Sequence, residues 1–98
     1  MKIYISGAIT GTDDYIYRFT RAHAKLEEQG HTVINPAMVN SFLPHCTTHE
    51  QYMKMSFCML DMCDTIYLLE GWEKSMGANQ EYGYALAKGY MILKEENK

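Results

Sequence analysis

The chain has 98 residues, 47% of them hydrophobic and 21% charged, with a formal net charge of -3 at pH 7. That length suits one domain, residues 1–98, with a single core. The acidic balance argues against a nucleic-acid polymer as partner, and no run approaches the roughly 20 apolar residues that would span a bilayer.

The alternating start Met1-Lys2-Ile3-Tyr4-Ile5-Ser6 reads as a strand over Lys2–Ser6, too short and too alternating for a signal peptide. A glycine-bounded loop, Gly7-Ala8-Ile9-Thr10-Gly11, follows it. Thr12 or Asp13 is placed to cap a helix running to about Gln29, with Tyr15, Phe19, Ala22 and Leu26 on one face and Gly30 ending it. His31–Asn35 reads as a second strand stopped by Pro36, and residues 36–46 as an irregular loop. A Met-rich helix starts at Thr47 or Thr48 and runs to about Met62. Asp64–Glu70 is an apolar strand, 71–74 a loop, and Ser75 the cap of a third helix ending near Gly89. Tyr90–Leu93 closes the pattern as a strand. Strand–helix alternation of this kind predicts an α/β fold: a three-layer parallel sheet of four to five strands with helices on both faces, flavodoxin-like or Rossmann-like.

Ligands of such sheets bind outside the carboxyl ends of the strands, so the loops 6–11, 35–44 and 71–75 are where chemistry is expected. The stretch Gly71-Trp72-Glu73-Lys74-Ser75-Met76-Gly77-Ala78-Asn79-Gln80-Glu81 carries the most information. A serine hydroxyl and free amides at a helix start suit a phosphate or carboxylate, although every helix also needs a plain cap. Ala78, Tyr82, Ala85, Leu86 and Gly89 recur at helical spacing, and Glu81 falls on or beside that inward stripe. A carboxylate there requires partners or a cleft; the alternative is a rim glutamate turned to solvent. Gly7 and Gly11 allow close backbone approach to a ligand, but the first loop is neither a dinucleotide fingerprint nor a P-loop. His45, Cys46 and His49 lack the paired motif of a structural metal site, so no metal is expected. The odd count of cysteines, Cys46, Cys58 and Cys63, fits reduced thiols in a cytoplasmic protein, with Cys58 and Cys63 packed as small hydrophobes. The helix 52–62 is apolar nearly all round, which predicts two buried faces, one on the sheet and one on a second subunit of a homo-oligomer.

At these residues the chain resembles the nucleoside 2-deoxyribosyltransferase-like superfamily, and within it a small branch of uncharacterised phage and bacterial proteins. The resemblance covers nearly the whole length and rests on residues 4–11, 63–69 and 71–82. The Ser-x-Gly spacing at Ser75 and Gly77, with Glu81 six positions after the serine, is similar to deoxynucleoside-monophosphate N-glycosidases. The resemblance implies Glu81 as nucleophile toward the anomeric carbon, and Ser75 and Gly77 as holders of the 5′ end. It further implies Ser6, Gly7, Ile9, Gly11 and Trp72 around the substrate. Such families place an aspartate two turns before the residue matching Asp64. Here that position holds Ser56, with Asp61 one turn displaced as the remaining candidate for a second catalytic carboxylate. The resulting expectation is an N-glycosidase or deoxyribosyltransferase acting without a cofactor on a small nucleoside or nucleoside monophosphate. A non-catalytic nucleotide or nucleotide-sugar binding module, and a structural dimer with a vestigial pocket, are the alternatives.

Overall fold

The computed structural model describes residues 1–9 and 13–96. Four parallel strands form one sheet in the order β2-β1-β3-β4: β1 (Lys2–Ser6), β2 (Thr32–Ile34), β3 (Thr65–Leu68) and β4 (Met91–Lys94). Tyr4 of β1 is opposite Ile34 on one side and Ile66 on the other, so β1 is an interior strand. Side chains alternate across the sheet. Ile3, Ile5, Tyr67 and Leu69 pack with Phe19, Ala22 and Leu26 of α1 (Tyr15–Glu28) and with Ala37 of α2 (Pro36–Asn40). Tyr4, Ile66 and Leu68 pack on the other face with Leu60 of α3 (His49–Leu60), Cys63, and Ala85 of α4 (Met76–Ala87). The result is the three-layer α/β arrangement expected from the alternation.

The local chemistry explains the element ends. Gly30 has a φ of 94°, the left-handed geometry that ends α1 at low cost. Thr48 caps α3 in a reciprocal box with Gln51, and the Ser75 hydroxyl accepts from the Ala78 amide to start α4. Three expectations are corrected. Asp14, rather than Asp13, stands at the α1 N-cap, and its carboxylate makes no cap bond because it lies 3.3 Å from the Arg18 Nε; Thr12 lies outside the described residues. The stretch read as an irregular loop contains α2, because Asn35 caps it through the Ala37 amide and Pro36 occupies the first helical position. Cys58 is exposed on the outward side of α3, two residues and therefore about 200° from the buried Ser56, whereas Cys63 is buried.

The predicted strands at 31–35 and 64–70 shorten to β2 and β3, and that at 90–93 shifts by one residue to β4. The predicted loop at 71–74 winds one 3-10 turn, Trp72–Lys74. The sheet adds β2 on one side of β1 and then returns to β3 on the other. This reversal opens a crevice at the carboxyl end of β1. No helix among the described residues is long and apolar enough to cross a membrane.

Candidate functional site

The period of two along β1 directs Tyr4 and Ser6 to the same face, the one covered by α4. The capped first turn of α4 sets Glu81 above them, and its carboxyl is buried, with the residue 7% exposed. The Tyr4 hydroxyl donates to Glu81 Oε2 at 2.6 Å, and the Ser6 hydroxyl donates to Oε1 at 2.6 Å. Each oxygen is thereby fixed in direction by a short hydrogen bond. Ser56, on the buried face of α3, lies beside the same carboxylate and also borders the cavity.

Burial pushes the Glu81 carboxyl above its ordinary range; the hydrogen bonds of Ser6 and Tyr4, the neighbouring Ser56 hydroxyl and the nearby His49 pull against that rise without cancelling it. The Tyr4 phenol is pushed well above its usual value, by burial first and then by the charge and hydrogen bond of Glu81. Tyr4 therefore stays a donor at any pH near neutrality.

A cavity of about 210 Å³ opens over this carboxyl. Gly7 and Ile9 border it after β1, and Tyr15 and Phe19 of α1 with Asn40 of α2 form one wall. His49, Tyr52, Met53 and Ser56 come from α3, and Ser75, Gly77 and Ala78 from the start of α4. A Cβ built on Gly77 would lie 3.5 Å from Met53 Sδ, 3.8 Å from His49 Cε1 and 3.9 Å from Ser75 Oγ. Those three side chains converge there on the open amides of the helix start, a polar end suited to an anion or a hydroxyl. His49 Nε2 lies 3.0 Å from Gln80 Oε1, which holds the ring at this end. Arg18 braces the first loop by donating to the Ala8 carbonyl at 3.0 Å and the Glu70 carbonyl at 3.3 Å.

Five of the residues named from sequence line one cavity: Gly7, Ile9, Ser75, Gly77 and Glu81. Ser6 sits beneath it, 1% exposed, and holds the glutamate rather than bordering the open space. Gly7 has a second task, since a Cβ there would come within 2.9 Å of Leu69 Cδ1. Gly11 lies outside the described residues.

Two residues fall elsewhere. Trp72 is wound by the 3-10 turn onto Tyr82, ring centroids 4.8 Å apart, and packs with the α3/α4 side of the core. Asp61 caps the far end of α3, more than one turn beyond Ser56, where it accepts from the Tyr84 hydroxyl at 2.6 Å and lies 3.3 Å from Lys88 Nζ. It is not the second carboxylate of the pocket, because the helix rise carries it away from Glu81.

Tyr4, Tyr52 and Asn40 are site residues that the sequence reading passed over. Tyr4 was legible: a phenol and a serine two apart on an interior strand share one face, and Glu81 was already aimed inward. Asn40 lies inside the 35–44 segment where chemistry was expected, but no motif or spacing singles it out there. Among the described residues, no group of three or more His, Cys, Asp or Glu side chains could hold a metal ion.

Residues 1–94 match the model of a family described as Domain of unknown function (DUF4406), and the chain belongs to that family. No curated protein matches it by sequence. Among solved structures, the chain is similar to the 2-deoxyribosyltransferase of the psychrotolerant bacterium Bacillus psychrosaccharolyticus, described as a biocatalyst for the synthesis of antiviral and antitumoral nucleosides. The TM-score is 0.76 at 17% identity, over 100% of this chain and 77% of the other. At that identity the likeness establishes the fold.

Proposed function

From the resemblance of residues 71–82 to N-glycosidases and from the pocket just described, we propose that this protein cleaves the N-glycosidic bond of a small nucleoside or nucleoside monophosphate, with Glu81 as nucleophile. The observation that carries the reading is a buried glutamate at the sheet reversal, aligned by two hydroxyls at 2.6 Å and bordering a cavity. The family resemblance of Ser75, Gly77 and Glu81, and the deoxyribosyltransferase fold, support the same chemistry.

In the first step a Glu81 oxygen attacks the anomeric carbon. The carbon–nitrogen bond breaks, and its electron pair leaves with the base, which takes a proton from water. Water then attacks the same carbon, releasing the sugar and restoring the carboxylate; a second base in place of water gives transfer. Tyr4 and Ser6 hold the carboxylate, and the Ser75/Gly77 end receives the 5′ group. With Ser56 standing where related enzymes carry an aspartate, the site brings one carboxylate to the cavity rather than two. Turnover is therefore expected to be slow. A second copy of the chain packing on the outward face of α3 is part of this reading and is checked by sedimentation.

The test is incubation of the pure protein with deoxynucleosides and their 5′-monophosphates, following free base by chromatography. Base release that disappears in Glu81→Gln supports the glycosidase. Saturable binding with no release from any member replaces it with the binding-module reading, which the Ser56 position favours.

A further inference from the structure

Glu81 brings a carboxylate to the cavity, and among the described residues that border it there is no lysine or arginine. His49, the first residue of α3, is the bordering side chain that can carry positive charge. The residue is exposed, so a ligand can reach its ring, and it stands at the Ser75 and Gly77 end. There its Cε1 lies 3.8 Å from the position that a Gly77 Cβ would take. An imidazolium has a proton on each ring nitrogen; Gln80 Oε1, 3.0 Å from Nε2, accepts one and leaves the other for an anion. The neighbouring cations are placed differently. Arg18 donates to the Ala8 and Glu70 carbonyls, and Lys74 precedes Ser75 without bordering the cavity. Ser75 and Glu81 are separated by about 9 Å along the helix axis, so an anion at the Ser75 end stands apart from the carboxylate.

Resting on the proposed glycosidic reading, we infer that His49 selects the 5′-monophosphate over the free nucleoside, its imidazolium pairing with a phosphate oxygen at the start of α4. A 5′-hydroxyl is satisfied there by the Ser75 hydroxyl and the open amides alone. A phosphate brings up to about two further negative charges into a cavity that already holds a carboxylate, and that charge requires a cation beside it. Hydrogen bonds between two charged groups are roughly twice as strong as neutral ones, so the phosphate gains what the hydroxyl cannot.

The experiment measures affinity by calorimetry for deoxyadenosine and deoxycytidine against their 5′-monophosphates, with base release followed separately. The protein is compared with His49→Gln, which keeps a polar side chain without the charge, and with Lys74→Gln, melting temperatures checking that each variant is folded. Each monophosphate is expected to bind about 10- to 100-fold more tightly than its nucleoside. His49→Gln brings that ratio to within about 3-fold by weakening the monophosphate, whereas Lys74→Gln keeps most of it, as an exposed charge outside the cavity should. Equal affinities in the parent, an unchanged ratio in His49→Gln, or an equal loss of nucleoside and monophosphate in that variant overturns the inference. So does a collapse of the ratio in Lys74→Gln, which assigns the phosphate to the surface lysine. Because affinity is read apart from turnover, phosphate-selective binding without base release sinks the glycosidase and leaves the role of His49 standing. Base release with no preference for the monophosphate does the reverse, and failure of all four ligands to bind overturns both.

Discussion

Two carboxylate–tyrosine pairs meet at α4, Glu81 with Tyr4 of β1 and Asp61 at the end of α3 with Tyr84, and they behave in opposite ways. Glu81 accepts from Tyr4 at 2.6 Å, and Asp61 accepts from Tyr84 at 2.6 Å. The hydrogen bonds are equal in length, yet the Glu81 carboxyl is pushed up and the Asp61 carboxyl is held down. Burial is the largest cause at Glu81, whereas at Asp61 the Tyr84 hydrogen bond comes first, desolvation is secondary and Lys88 adds a favourable charge. A short hydrogen bond therefore does not by itself identify a reactive carboxylate; desolvation beside an open cavity separates the two.

The largest expected effect breaks the pair apart by substitution. Glu81→Gln is expected to lower base release by at least ~10³-fold, while Asp61→Asn stays within about 2-fold of the parent, both read as initial rates on the best deoxynucleoside. Comparable losses in the two variants would return Asp61 to the reaction and undo the contrast.

A second contrast sharpens the walls around Glu81. Gly7→Ala forces a methyl to within 2.9 Å of Leu69 Cδ1, and overpacking of this kind costs about 1–3 kcal/mol in a denaturant titration. Gly77→Ala meets only ordinary contacts at 3.5 Å and beyond, so its fold is expected to be nearly as stable as the parent. Its methyl occupies the polar end of the cavity, and ligand affinity is the quantity that falls. Equal destabilisation by both substitutions would assign Gly77 to packing.

The smallest effect is in the pH dependence, where the two carboxylates should have opposite signs. Glu81 is raised in the fold, so its contribution is fully present below the ordinary glutamate range and is lost as pH rises through the folded value. Asp61 is lowered, so its contribution is present above the ordinary aspartate range and lost as pH falls through the folded value. Melting temperatures should therefore show Glu81→Gln gaining on the parent as pH rises out of the carboxylate range. Asp61→Asn should gain on it as pH falls below that range. With Glu81 as the proposed nucleophile, base release should rise with pH along a limb displaced upward from an ordinary glutamate. A limb at the ordinary position would mean that the cavity admits enough water to solvate the carboxylate.

Much of this was legible because it is local. Strand–helix alternation, the Ser75 and Thr48 caps and the Gly30 turn depend on neighbours within four residues, and each appears where the pattern places it. Glu81 was legible in part for a related reason: helical spacing sets it on or beside the inward stripe of α4, and the packing of that helix on β1 decides that it is buried rather than turned to solvent. Tertiary structure decided the partners. Tyr4 and Glu81 are 77 positions apart, and only the pairing of β1 between β2 and β3, with α4 laid over it, brings them to 2.6 Å. Asp61 and Ser56 could not be ranked from their spacing, because the rise of α3 that keeps Ser56 at the cavity carries Asp61 to Tyr84 and Lys88. The chain's own pattern determines which groups face inward, whereas the packing of the layers determines which of them lose water together, and that loss sets the chemistry of the site.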